Sequence, residues 1–164
     1  NAIEKLNMIP GRVQKIEEGQ DFTVVVDYAH TPDSLAKLYT VFKGTRRICV
    51  LGNTGGGRDM WKRDEMARIA ENECDEIILT NEDPYDDDPE QIVTDMAGAL
   101  TKKVPQVIMD RRTAIATALT LARTGDSVLI TGKGTDPYIM GPKNTKTPWS
   151  DAGVVREELQ KILS

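Results

Sequence analysis

Two hydrophobic periods alternate along the chain. Runs of β-forming residues recur at 23–26 (Thr23-Val24-Val25-Val26), 47–51, 76–79, 106–109 and 127–131. Between them the apolar spacing becomes helical. Leu35, Leu38 and Phe42 follow the first run, and Met66, Ile69 and Ala70 the second; Ile92, Val93, Met96 and Leu100 follow the third, and Ile115, Ala118, Leu119 and Ala122 the fourth. Apolar positions at i, i+3, i+4 and i+7 predict one buried face per helix, whereas unbroken apolar runs predict strands covered on both sides. Thr31-Pro32 and Asp88-Pro89 supply helix starts, each a capping side chain followed by proline at the first helical position. The end of the chain departs from the pattern. Residues 138–140 and 146–148 flank Gly141-Pro142-Lys143-Asn144 and predict a hairpin, and a final helix carries Val154, Val155, Leu159 and Ile162.

Strands alternating with helices make βαβ units, so the predicted fold class is α/β, a Rossmann-like, mostly parallel sheet with flanking helices and a C-terminal β-hairpin plus helix. Right-handed crossovers put all five post-strand loops on one edge of the sheet. Those loops cover residues 27–30, 52–59, 81–88, 110–112 and 132–136, and they hold the polar, glycine and charged residues. In an open α/β sheet that edge is where ligands bind.

Composition narrows the partners. The 164 residues are 39% hydrophobic and 29% charged, ordinary for a globular domain, with a net charge of −5 that disfavours nucleic acid or an anionic membrane. No apolar run approaches the ~18 residues of a membrane span. Cys49 lies in a predicted strand and Cys74 near a helix end, which reads as two free, buried thiols of a reducing compartment, with a disulfide the lesser alternative; a cytoplasmic protein is expected. One histidine and two distant cysteines do not build a zinc site. There is no initiator methionine, and residues 2–6 read as the tail of a helix. The expectation is therefore a domain of a longer polypeptide, with residues 1–20 as hinge or end of a preceding domain and 21–164 as the domain proper.

Three loops carry candidate chemistry. Asp27-Tyr28-Ala29-His30 holds the only histidine, which stands near an aspartate and without a nucleophile to activate. Gly52-Asn53-Thr54-Gly55-Gly56-Gly57-Arg58-Asp59 has the outer glycine spacing of a phosphate loop, but Arg-Asp stands where Lys-Ser/Thr is required. Successive glycines still offer backbone N–H groups to an anion, the alternative being a flexible turn. Gly132-Lys133-Gly134 alone is a weak phosphate signal. For Asp86-Asp87-Asp88 the reading is a solvated, capping loop.

Asp27 to Ser34, with Ile9-Pro10-Gly11-Arg12, Gly52 to Met66, Thr80 to Pro89 and Gly132-Lys133-Gly134 in the same order, resembles the C-terminal domain of the Mur ligases of peptidoglycan synthesis, closest to the tripeptide synthetases that add the third stem-peptide residue. The resemblance implies an ATP- and Mg²⁺-dependent, ADP-forming ligase whose phosphate loop and metal ligands belong to a central domain. This chain would present the amino acid and close over ATP, in partnership with the N-terminal and central domains, and would be inactive alone. It implies that Arg12 reaches the ATP phosphates, that Asp27 bonds the ribose hydroxyls and that His30 lies at the nucleotide. Arg63 would hold the amino acid's carboxylate, with Asp83, Tyr85, Gly132 and Asp136 around the rest of it. No residue is assigned to the catalytic step itself or to a metal.

Two departures bear on the amino acid. Tyr85 replaces the arginine that grips diaminopimelate's distal carboxylate in the family, and Thr135-Asp136 replaces His-Glu. Asp83 and Asp136 together suggest a substrate ending in an ammonium, lysine or ornithine, over meso-diaminopimelate, unless Lys133 or Arg58 swings in to serve a distal carboxylate. The alternatives are a non-catalytic nucleotide or amino-acid binding module, and the related domain of a folylpolyglutamate-synthetase-like ligase.

Overall fold

The computed structural model describes residues 12–57 and 60–164. The expected helix tail at 2–6, the Ile9-Pro10-Gly11 part of the leading motif, and Arg58 and Asp59 lie outside the described residues.

The elements run β1 (Gln14–Ile16), β2 (Thr23–Asp27), α1 (Pro32–Val41), β3 (Arg47–Leu51), α2 (Trp61–Glu73), β4 (Glu76–Leu79), α3 (Pro89–Gly98), β5 (Gln106–Val107), α4 (Arg111–Leu121), β6 (Ser127–Thr131), β7 (Tyr138–Met140), β8 (Lys146–Pro148) and α5 (Asp151–Leu163). The main sheet has the order β1-β2-β6-β3-β4-β5, parallel except for β1, and β7 and β8 form a separate antiparallel pair. The predicted caps are present: the Thr31 hydroxyl accepts from Ser34 N, and Asp88 accepts from Glu90 N.

Strand order decides which face each helix covers. The chain steps one way from β2 through β3 and β4 to β5, so right-handed crossovers put α1, α2 and α3 on one face. Leu35, Leu38, Met66, Ala70, Val93 and Met96 pack there on Val25, Cys49, Leu51, Ile77, Leu79 and Leu129. The return from β5 to β6 reverses direction and puts α4 on the other face, where it packs with α5 over Val24, Val26, Ile48, Val50, Ile78, Val128 and Ile130. β6 therefore enters between β2 and β3. The chain reverses its winding there, where such sheets open a crevice at the carboxyl ends of the strands.

Three features differ from the sequence reading. Gln14–Ile16 joins the sheet as an edge strand antiparallel to β2, although its polar first residues gave no strand pattern. The strand expected over 106–109 shortens to two residues at the opposite edge. The cysteines are corrected outright: Cys49 and Cys74 form a disulfide with Cα atoms 6.1 Å apart. Cys74 caps the C-terminus of α2, and α2 packs on the face toward which Cys49 points, so the fold brings together two residues that the sequence reading kept apart.

Arg111 and Glu82 are two of several ionisable groups buried near the site edge. Arg111, fully enclosed at the start of α4, donates from Nε (2.8 Å) and Nη2 (2.7 Å) to Asp151 at the start of α5, and it also donates to the carbonyls of Asn81 and Thr131. Trp149 Nε1 donates to the same carboxylate at 2.7 Å. Removing one partner of a buried pair leaves an uncompensated charge. Asp151→Ala should therefore lower the unfolding free energy by about 3–5 kcal/mol, measured by urea denaturation; a loss below about 1 kcal/mol would show that the pair does not brace α4 against α5.

Glu82 is the second of these groups. Burial pushes its carboxyl up to about 7 from the usual 4.5, against the pull of Arg111 and Lys133 and with help from Asp83. A carboxyl that binds its proton more tightly when folded contributes full stability below about 4.5, loses it as pH rises toward about 7, and is flat above. Glu82→Gln keeps the neutral shape at every pH. Its stability advantage over the wild type should grow across that window to roughly 1–3 kcal/mol at pH ~8. An advantage that does not change with pH would remove this assignment.

Candidate functional site

Asp27 closes β2, and its carboxylate is held by backbone N–H groups on both oxygens: Val13 N donates to Oδ2 at 2.6 Å and Ala29 N to Oδ1 at 2.7 Å. His30 donates from Nδ1 to the Tyr28 carbonyl at 3.0 Å, and the Tyr28 ring packs edge-on against it at 4.6 Å. Arg12, Asp27, Tyr28 and His30 share the wall of a cavity of about 420 Å³, with Ser34 and Leu38 behind them. The structure thus gathers Arg12, Asp27 and His30, which the sequence separates.

His30 also opens on a second cleft of about 460 Å³, walled by Thr54, Gly56, Lys62, Tyr85 and Asp86. Its floor is the seam between the glycine loop after β3 and the acidic loop after β4. Gly55 N donates to the Asp83 carbonyl at 2.7 Å, and a Cβ on Gly55 would stand 1.9 Å from the Pro84 carbonyl oxygen, so only glycine fits this close approach. Gly56 N and Gly57 N both donate to Asp87 Oδ2, at 3.1 and 3.3 Å. Arg63, 3% exposed on the first turn of α2, donates to that same oxygen from Nη2 at 3.2 Å and to Asp95 on α3 from Nη1 at 3.0 Å. The predicted anion cradle and the predicted carboxylate fork do converge. What they converge on is a carboxylate of the chain itself.

Asp83 and Asp136 also have a partner already. Lys133 is fully buried, and its ammonium lies 2.8 Å from both oxygens of Asp83 and 3.3 Å from Asp136 Oδ2. In the structure it is held on these two carboxylates and lines neither cavity, and Arg58, the other residue expected to swing in, lies outside the described residues. Gly132 adopts φ +108 and packs on the Glu82 carboxylate, where a Cβ would meet Oε2 at 2.6 Å. Tyr85 takes a left-handed φ of +52, with its N–H on the Met140 carbonyl at 3.2 Å. The β7–β8 hairpin braces this loop further: Met140 N donates to Asp83 and Lys143 N to Asp86. Burial, and then the nearby Asp136, raise the Tyr28 phenol above its usual value. Of the residues expected around the amino acid, Tyr85 lines the cleft, Arg63 lies beneath the glycine loop, and Asp83, Gly132 and Asp136 form a separate cluster around Lys133.

Sequence reasoning missed Asp87, Lys133 and Glu82 as parts of this architecture. Three successive aspartates look alike in a sequence, yet only Asp88 caps α3, while Asp87 turns back onto the glycine loop and Asp86 accepts from the hairpin. No local signal marks Asp87 as the partner that the glycine-loop N–H groups share with Arg63. Among the described residues no group of three or more His, Cys, Asp or Glu side chains is placed to hold a metal ion.

The curated 2,6-diaminopimelate ligase of Geobacillus kaustophilus, UDP-N-acetylmuramoyl-L-alanyl-D-glutamate--2,6-diaminopimelate ligase, is 39% identical over 98% of the chain, which spans 33% of that relative's length. A solved structure of a ligase of that same name superposes with a TM-score of 0.86 at 34% identity, covering 95% of this chain and 32% of the other. A bifunctional folylpolyglutamate synthase/dihydrofolate synthase reaches a TM-score of 0.57 at 21% identity over 76% of this chain and 29% of its own, a likeness of fold alone. The profile of the Mur ligase, glutamate ligase domain matches residues 11–134, and with relatives this similar across nearly the whole length, the chain belongs to that family.

Proposed function

We propose that the chain is the amino-acid-presenting, nucleotide-covering domain of an ATP-dependent ligase that adds the third stem-peptide residue to UDP-N-acetylmuramoyl-dipeptide. The observation that carries this reading is the superposition over 95% of the chain on a ligase of that class. The cavity beside β2 suits the nucleoside and phosphate side. Asp27 has lone pairs left for ribose hydroxyls after its two backbone bonds, and the exposed Arg12 is free to reach phosphates. ATP would supply the phosphoryl group that activates the acceptor carboxylate. Metal ligands and phosphate-loop lysine would come from the other domains of the ligase, which are this chain's expected partners. A cytoplasmic setting then rests on the ligase reading alone, since the cysteines that argued for a reducing compartment are paired.

The added residue is inferred to be a diamino acid with a carboxylate at its far end, as in the 2,6-diaminopimelate named for the relatives. The argument for an ammonium end rested on Asp83 and Asp136 lacking a cation, and Lys133 is that cation. The cleft instead carries both signs, Lys62 and Asp86, beside Tyr85, which suits a zwitterionic end.

Two outcomes follow in a ligase carrying this domain. Supplied with equal meso-diaminopimelate, lysine and ornithine, it should incorporate diaminopimelate, and preferential use of lysine would restore the ammonium reading. Arg12→Ala should raise the KM for ATP roughly tenfold or more, the loss of one charge-assisted bond to phosphate. Because Arg12 is exposed, an unchanged KM would count directly against its role.

A further inference from the structure

We propose that the β7–β8 hairpin is a positioning element for amino-acid binding: it holds Tyr85 and Asp86 in place on the wall of the second cleft. The inference rests on the reading of that cleft as the amino-acid side of the site. Tyr85 and Asp86 line the cleft, and neither belongs to a helix or a strand. Three backbone groups of the hairpin stitch their loop down. Tyr85 N donates to the Met140 carbonyl at 3.2 Å, Met140 N donates to Asp83 Oδ1 at 2.8 Å, and Lys143 N donates to Asp86 Oδ1 at 2.7 Å. Met140 thus gives and takes a bond along its outer edge, as a strand does with a neighbour, with the Asp83 carboxylate standing where a carbonyl would be.

Tyr85 shows why the loop needs the hairpin. Its φ of +52 is a left-handed conformation that a bulky residue adopts rarely and at a cost. The bond from its N–H to Met140 supplies the restraint. Freeing that bond lets the backbone relax toward negative φ and takes the residue out of its place on the wall. Asp86 is held through one oxygen, which leaves the other for a ligand ammonium.

The hairpin depends on the loop in return. It is a two-stranded sheet separate from the main one, with β8 exposed along its length, and a pair of such short strands is marginal alone. Its tip holds Lys143 and Asn144 in successive left-handed conformations, φ +54 and +59, and Asp86 accepts from the first of them. Hairpin and loop therefore order each other, and loosening the hairpin lowers the fraction of molecules in which the cleft wall is formed. Apparent affinity for the amino acid falls by that fraction. The cavity beside β2 is lined by no residue of the hairpin or of this loop, so the nucleotide side is left alone.

Two variants loosen the hairpin at exposed positions that line neither cavity, Thr147→Pro and Asn144→Val. The strand register, with Gly141 N bonded to the Thr145 carbonyl and Trp149 N to that of Pro137, makes Ile139 and Thr147 a hydrogen-bonded pair, from which proline removes a donor. Valine resists the left-handed backbone at position 144, whereas glycine takes it freely, so Asn144→Gly is the control. On the chain itself, amide hydrogen exchange is followed by NMR. Both loosened variants should exchange faster at Met140, Lys143 and Tyr85 together, while Val25 and Leu129 of the main sheet stay protected. A Tyr85 amide that stays protected while Met140 and Lys143 open overturns the proposal and leaves the reading of the cleft intact. In a ligase carrying the domain, the same two variants should raise the amino acid KM roughly three- to tenfold and leave the ATP KM unchanged, and Asn144→Gly should match the wild type. An amino acid KM that stays put although the Tyr85 amide is released overturns the proposal. A rise in the ATP KM alone overturns the reading of the cleft, and the proposal with it.

Discussion

The buried ammonium of Lys133 is the contact on which the site edge depends. It comes from the loop after β6, the strand inserted between β2 and β3, and it is fixed on Asp83 from the loop after β4. Asp83 in turn accepts from Met140 N on the hairpin, and its carbonyl accepts from Gly55 N on the glycine loop. One charge pair therefore ties together the loops of β3, β4 and β6 and the β7–β8 hairpin. A lysine with no exposed surface is tolerated only when its charge is met at close range, and a carboxylate at 2.8 Å from both oxygens meets it. Glu82 reads the same field from the other side. It is buried beside Asp83 and under Gly132, accepts from the Thr54 hydroxyl at 3.2 Å and has no ion pair among the described residues, so burial raises its carboxyl to about 7.

The layers of the fold were legible in the sequence because each local signal agreed with the next. Unbroken runs such as Thr23-Val24-Val25-Val26 lie in a strand covered on both faces, and the Thr31-Pro32 and Asp88-Pro89 starts are helix caps in the structure. The misses are long-range. Gln14–Ile16 is a strand only because β2 leaves an edge for it, and the Cys49–Cys74 bond depends on α2 lying across β3, a fact of tertiary packing that residue spacing does not encode.

Of the candidate site, position was legible and partnership was not. The carboxyl-edge rule places Asp27, His30, the glycine loop and Tyr85 correctly because topology alone puts them there. The sequence reading left Asp83 and Asp136 facing a ligand because side chains were weighed without the neighbours that the fold would give them. Lys133 was in view, but as a residue that could swing in toward the substrate rather than as the partner of Asp83. The pairing rule for buried charge was applied correctly, but with the cation taken from the substrate rather than from the chain.

The same rule explains how the two cavities differ. Around Asp27 the carboxylate is satisfied by backbone N–H groups, which leaves its outer lone pairs and the exposed Arg12 available to a neutral hydroxyl and to phosphate without a charge to displace. Beneath the glycine loop that walls the second cavity, the described side-chain partners of Arg63 are both ionic, and both carboxylates belong to the chain. His30 lies on the wall of both cavities, its ring against that of Tyr28, and so marks the boundary between a side whose carboxylate is met by backbone N–H groups and a side whose charges meet one another.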